Sequence, residues 1–271
     1  MNTPQEVAAS FVQSGKNKAQ LPIEKMLILG LLAGMYIALG ALASNTVSCT
    51  IENPSLARLA SACVFPAGLV MVLLAGSELF TGNCFMVFSL FQGEIRISSM
   101  ARNWLFVYLG NFLGSIFLVL MAYASGQWNL FNEALAVTTI QVATSKVAHS
   151  FGSAFFLGVG CNFLVCIAIW ISAAAKDVVG KVSGLYLPIF IFVLAGFEHS
   201  VANMYYIPAG IVAAGNSTYA AAALAFGLDL SLLTWGGFLL HNLLPVTLGN
   251  LVGGSLLVGL PYWYCYLHNK K

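Results

Sequence analysis

The chain has 271 residues, a formal net charge of +2, 59% apolar residues and only 7% charged ones. A soluble domain carries roughly 25% charged residues, so this chain lacks the polar coat a water-soluble protein needs, and its small net charge argues against a nucleic-acid partner. A bilayer solvates such a surface, and the length allows about six or seven crossings at roughly 20 residues each, which leaves one domain over 1–271 and no room for a soluble one.

Residues 1–25 are polar and carry Lys16, Lys18 and Lys25. They lack the short apolar core and small-residue cleavage site of a signal peptide, so the first crossing is expected to be its own insertion signal. Val7, Ala8, Phe11 and Val12 are spaced for a short amphipathic helix lying on the cytoplasmic face; a frayed tail is the alternative. Apolar segments follow at 26–47, 60–90, 103–125, 149–174, 187–214 and 236–267. The second, fifth and sixth exceed one straight crossing, and the second and fifth are interrupted by polar residues.

Basic residues orient the chain, because cytoplasmic loops are enriched in Lys and Arg. Six crossings with both ends inside place Lys16, Lys18, Lys25, Arg96, Arg102, Lys176, Lys181, Lys270 and Lys271 in the cytoplasm. Only Arg58 and Lys146 are then outside. The expected product is a multi-pass protein of the plasma (inner) membrane with both termini cytoplasmic.

The polar interruptions match each other. Gly76-Ser77-Glu78-Leu79-Phe80-Thr81-Gly82-Asn83 and Gly196-Phe197-Glu198-His199-Ser200-Val201-Ala202-Asn203 both fit G-x-E-x-x-x-x-N. Leu109-Gly110-Asn111-Phe112-Leu113-Gly114 and Leu248-Gly249-Asn250-Leu251-Val252-Gly253 both fit L-G-N-x-x-G, in the same order. Two motifs in one order indicate an internal duplication with halves at about 26–125 and 149–267. Three crossings per half invert the second relative to the first, and broken helices in inverted repeats build a site near the midplane. The predicted class is therefore an all-α integral membrane fold: six transmembrane helices in an inverted 3+3 repeat, with the second and fifth broken.

A charge at the bilayer centre costs about 2.5–3.5 kcal/mol on the insertion scale, so Glu78, Glu198 and His199 are expected away from lipid. Glu78 and Glu198 occupy equivalent places. Their duplication favours a structural role, each carboxyl taking backbone N–H groups freed at its break, over proton relay or cation coordination. Asn83 and Asn203 complete the two motifs. Thr81 and His199 are not equivalent and are the candidates to meet a solute, one as a hydroxyl and the other as an imidazole that titrates near neutrality. Lys146 either draws anions toward a vestibule or snorkels at the surface. Asn162 and Asn250 either bond between helices or line a pore. Cys49, Cys63, Cys84, Cys161, Cys166 and Cys265 have no metal-ligand spacing and read as packing residues. No nucleotide loop, zinc-protease motif or hydrolase signature occurs, so neither an enzyme nor a cofactor or metal is expected.

These strings, together with Asn162-Phe163-Leu164-Val165-Cys166 and Pro245-Val246-Thr247-Leu248-Gly249-Asn250, resemble the formate/nitrite transporter family over essentially the whole chain, most of all its hydrosulfide branch. The resemblance implies an aquaporin-like helical fold, one pore per subunit of a homopentamer, and substrates such as formate, nitrite or hydrosulfide. It places the central pore residues on Thr81 and His199, the lysine outside the pore on Lys146 and the polar lining on Asn162 and Asn250. It places the apolar constrictions on Phe65, Leu69, Leu79, Phe80, Val165 and Phe192. The expected function is passage of small monovalent anions or their conjugate acids. The alternatives are a proton-coupled carrier of the same anions, using Glu78 or Glu198, and an aquaporin-like channel for neutral solutes. The latter kind carries two Asn-Pro-Ala turns, against which Asn53-Pro54-Ser55 is a single approach.

Overall fold

The computed structural model describes residues 1–268, and every regular element among them is helical. Lys270 and Lys271, which entered the charge count, lie outside the described residues. The N-terminal segment forms helix α1 (Pro4–Ala19), started by a capping box. The Thr3 hydroxyl accepts from the Glu6 N–H, and the Glu6 carboxylate accepts from the Thr3 N–H at 2.7 Å. The Thr3 backbone N–H and hydroxyl hold this exposed carboxyl below its usual range.

Five helical stretches are long and apolar enough to cross a membrane. They are α2 (Ile23–Ser48), Pro54–Leu74 (α3, Pro54–Val64, running into α4, Pro66–Leu74), α6 (Ile97–Ala124), α8 (Phe151–Ala174) and Gly237–Tyr266. The second of these continues beyond a break into a 3₁₀ turn (Gly82–Met86) and α5 (Val87–Phe91). The segment expected at 187–214 is broken as expected, but begins earlier: α9 (Val178–Leu194) and α10 (Ser200–Ala214) lie on either side of a second break. The last stretch holds α12 (Leu244–Leu251) and α13 (Leu260–Tyr266), each preceded by a π-helical run, at Gly237–Leu243 and Val252–Gly259. Between the spans lie α7 (Ala134–Val147) and α11 (Ser217–Ala225).

Both breaks begin with the same device. Gly76 and Gly196 have φ of +76° and +75°, the left-handed conformation that a side chain opposes. The next N–H reaches back five residues, Ser77 to the Val72 carbonyl and Phe197 to the Phe192 carbonyl, each at 3.0 Å. This Schellman closure ends α4 and α9 in mid-span and frees the chain to turn.

Helix α2 packs on α6, and α8 on α12, at glycine-lined crossings. A Cβ on Gly34 would sit 2.1 Å from the Asn111 carbonyl oxygen, and one on Gly249 would sit 2.1 Å from that of Phe155. Only glycine lets these backbones approach so closely.

Helix α1 is docked rather than frayed. Its Phe11 ring meets Phe85, Phe88 and Trp170, with centroids 4.5–5.8 Å apart. Asn2 bonds the carbonyls of Ala174 and Ala173 at the end of α8, and Tyr262 of α13 stacks on Trp170 at 4.3 Å. Helices α1 and α13 and the end of α8 thus share one face of the molecule, the N-terminal face; α7 and the start of α8 lie towards the other, the distal face.

Candidate functional site

Each break is stitched by a five-residue constellation, and the two match in every bond but one: Asn242 Nδ2 also donates to Glu198 Oε2 at 3.2 Å, which Asn103 does not do for Glu78. Glu78 Oε1 takes Lys18 Nζ at 2.5 Å, and Glu198 Oε1 takes Lys146 Nζ at 2.7 Å. Asn83 Nδ2 donates to Glu78 Oε2 and to Asn103 Oδ1, both at 2.7 Å; Asn203 Nδ2 donates to Glu198 Oε2 at 2.6 Å and to Asn242 Oδ1 at 2.7 Å. Asn103 and Asn242 return a bond to the Lys18 and Lys146 carbonyls. Asn111 Oδ1 accepts the Phe80 N–H while its amide hydrogens go to Gly30 and Glu78 carbonyls. Asn250 does the same for the Ser200 N–H and for the Gly158 and Glu198 carbonyls.

This arrangement corrects one expectation. The carboxylates do not take backbone N–H groups; Glu78 is held by a lysine and an asparagine, Glu198 by a lysine and two asparagines. Asparagine amides satisfy the freed backbone instead, because an amide offers both an acceptor and two donors to a broken helix whereas a carboxylate offers acceptors alone. Lys146 is neither a free surface cation nor a snorkelling one: its side chain is 14% exposed, paired with Glu198, and its ammonium sits 5.1 Å from the centre of the Tyr206 ring. Asn250, expected to line the pore, has its acceptor and both donors spent on the second break. Asn162 donates to the Thr81 and Asn250 carbonyls at 3.3 and 2.7 Å and is fully buried.

Sequence reasoning missed Lys18, Asn103 and Asn242. A signal was present: Lys18 precedes Gly30 by the interval that separates Lys146 from Gly158, and Asn103 precedes Asn111 as Asn242 precedes Asn250.

Between the breaks, Thr81 Oγ1 and His199 Nε2 lie 2.9 Å apart, both buried. His199 Nδ1 accepts the Ala202 N–H at 3.1 Å. The ring hydrogen must therefore sit on Nε2 and point at Thr81. With its oxygen accepting from His199, the Thr81 hydroxyl keeps its own hydrogen to donate elsewhere.

Apolar side chains surround this pair. Phe65 and Phe192 meet edge to face at 5.4 Å, and Phe192 lies 6.2 Å from His199. Leu69, Leu79 and Val165 are buried. Phe80 packs on Tyr108 and Trp104 of α6 at 4.7 and 6.1 Å. On the N-terminal face a cavity of about 190 Å³ opens between α1 and the first break, lined by Phe11, Ser14, Lys18, Leu69, Ser77 and Leu79 among others; Phe80 does not line it.

A helical chain of several spans, with two helices broken around a buried polar pair, defines a multi-pass membrane transport protein. A sequence profile described as "Formate/nitrite transporter" matches residues 5–264, and the chain belongs to that family. It is similar to the "Probable formate transporter" of Methanothermobacter thermautotrophicus, 37% identical with 98% of this chain and 97% of the relative covered. It is 35% identical to the "Formate channel FocA" of Escherichia coli (strain K12), over 98% and 95% of the two chains. Among solved structures, a "Pentameric formate channel with formate bound" superposes with a TM-score of 0.80 at 33% identity, covering 90% of this chain and 98% of that one. An "FNT family ion channel" gives 0.81 at 30% identity, covering 96% and 98%. These relatives are channels and transporters, so the chain is a transport protein and not an enzyme.

Proposed function

We propose that this chain is a channel for small monovalent anions or their conjugate acids, the formate, nitrite and hydrosulfide class, with Thr81 and His199 as its central site. The observation that carries the reading is that two hydrogen-bond donors converge there between apolar walls. A bound carboxylate would accept from His199 Nε2–H and from the Thr81 hydroxyl together. The pair's one acceptor, the Thr81 oxygen, already takes the His199 hydrogen, so the site favours an anion over a polyol, whose own hydrogens would find few partners.

Phe65 and Phe192 form the constriction on the distal side of the pair, with Val165, and Leu69 and Leu79, which line the cavity on the N-terminal face, form it on the other. Phe80 braces the first break. An anion shedding water in these rings pays for it unless new donors replace the lost ones. The contacts of His199 favour donation of a hydrogen bond over loan of a proton, because Nδ1 already faces an N–H. Asn162 and Asn250 hold the break backbones that aim the pair. Glu78, Asn83, Glu198 and Asn203 keep the helices broken. Lys18 and Lys146, one per mouth, neutralise the two carboxylates.

The protein operates as a homopentamer in the plasma membrane with the N-terminal face cytoplasmic, by analogy with its pentameric relative and from its lysine distribution. The two halves are an inverted repeat that includes α1 and α7, since Lys18 stands to Glu78 as Lys146 stands to Glu198.

The test is flux in proteoliposomes for formate, nitrite, hydrosulfide and glycerol at several pH values. Anion flux with no glycerol flux is the expected result, and its ranking names the substrate. Glycerol flux without anion flux refutes the reading. Saturating uptake that follows a proton gradient replaces the channel with a coupled carrier.

A further inference from the structure

Both lysines at the mouths of this pathway are spent on carboxylates. An ion pair at 2.7 Å presents a dipole to solution, and a dipole attracts a distant anion far less than a lone charge does. If the distal mouth gathers anions, another cation must do it. We infer that Arg58 is that cation, an exposed guanidinium site that recruits small monovalent anions to the distal mouth. The inference rests on the anion-channel reading above.

The position of Arg58 argues for it. The helical backbone runs unbroken through Phe65. Arg58, Ala62, Phe65, Leu69 and Val72 recur every three or four residues and therefore share one face. The last four of them are buried, and the face runs from Arg58 through Phe65, of the distal constriction, to Leu69 and Val72 at the cavity on the N-terminal side. Arg58 is its first member and its exposed end. The guanidinium reaches across to the second break: a Cβ on Gly196 would lie 2.7 Å from Arg58 Nη1. The side chain thus spans from α3 to the turn that leads into His199, above the Phe65–Phe192 contact.

Its charge is uncompensated. Among the described residues no carboxylate lies within 4.0 Å of Arg58. It also makes no side-chain hydrogen bond there, whereas Arg102, for comparison, is tied to the Ala19 and Leu21 carbonyls.

The duplication shows that Arg58 is not part of the break itself. The displacement that carries Gly76 onto Gly196 and Glu78 onto Glu198 carries Arg58 onto Val178, an exposed apolar residue at the start of α9. The first break is held without an arginine, so the second does not need one for its geometry.

The experiment compares wild type with Arg58→Gln, Arg58→Glu and Arg58→Lys in proteoliposomes, reading initial formate flux against formate concentration at low and high ionic strength. Electrostatic focusing changes encounter rates by about 10–10³-fold and is screened by salt. Arg58→Gln is expected to lower flux at subsaturating formate about tenfold in roughly 0.01 M salt and less than about twofold in roughly 1 M salt, where the screening length falls from about 30 Å to about 3 Å. Saturating flux should stay within about twofold, Arg58→Glu should fall further, and Arg58→Lys should recover most of the loss. Wild-type flux from Arg58→Gln at low salt overturns the inference and leaves the channel standing. An equal loss at both salt levels, not recovered by Arg58→Lys, overturns it in favour of a packing role. Absence of formate flux in wild type itself removes the channel reading and this inference with it.

Discussion

At the scale of the residue, the centre owes its chemistry to a failure of symmetry. The displacement that superposes Glu78 on Glu198 carries Thr81 onto Val201 and Leu79 onto His199. Each break therefore supplies one polar group where the other supplies an aliphatic one, and the two meet at 2.9 Å. Thr81→Val keeps the volume and removes one of the two donors. A hydrogen bond to a charged group contributes about 1.5–3 kcal/mol, so anion flux at subsaturating concentration should fall about tenfold to a hundredfold, while the His199 N–H left unpaired lowers stability by about 1–3 kcal/mol. Full flux from this variant, or from His199→Ala, would remove the pair from the pathway. The pair was legible in the sequence because a histidine in an apolar run has few reasons to be there, and because the aligned motifs showed which positions disagree. Lys18 was not, since a lysine in a polar terminal stretch is set apart only by its interval to Gly30, which repeats that of Lys146 to Gly158 and lies outside the two motifs. Asn250 stayed open between bonding and lining, because an asparagine inside an apolar helix looks the same from sequence whether it faces a solute or a broken backbone.

At the scale of the element, the amino-terminal helix is a working part of the first half. Lys18 completes the first constellation as Lys146 of α7 completes the second, so loss of either lysine strands a carboxylate with only neutral asparagine amides to hold it. Removing one partner of a buried ion pair costs about 3–5 kcal/mol, whereas removing both is far cheaper. Lys18→Met and Lys146→Met should each depress thermal stability in detergent. The double variants Lys18→Met with Glu78→Gln, and Lys146→Met with Glu198→Gln, should recover much of the loss. Single variants as stable as wild type would show that the pairs are ornamental. Helix α7 itself was not anticipated: at 14 residues it is too short to register as a crossing, although Leu135, Ala136, Ile140, Ala143 and Val147 give it one buried face. The reach of α9 back to Val178 was missed for a related reason, because Gly180, Lys181, Ser183 and Gly184 dilute the apolar signal that marks its second half.

At the scale of the molecule, the apolar segments, their breaks and their family were all readable, because a bilayer imposes long apolar runs and punishes every exception to them. Which side of the membrane each face occupies follows from charge placement. Lys16 pairs with Glu94 across α1 and the turn after α5, and Arg102 caps the end of α1, so the basic residues near α1 lie together. Lys176 follows the end of α8 where Asn2 is bound, adding to the same face. Arg58 and Lys146 lie towards the opposite face, at the second break. A face enriched in lysine and arginine is retained in the cytoplasm, so a cysteine at exposed Lys176 should react with an impermeant maleimide only after cells are opened. One at exposed Asn132, in the turn before α7, should react on intact cells. Both belong in a background lacking the native cysteines, since Cys63 and Cys265 are exposed and would add their own signal. The reverse labelling would turn the protein over in the membrane. Arg58 would then gather anions from the cytoplasm and serve export, while the chemistry of the central pair would be unaltered.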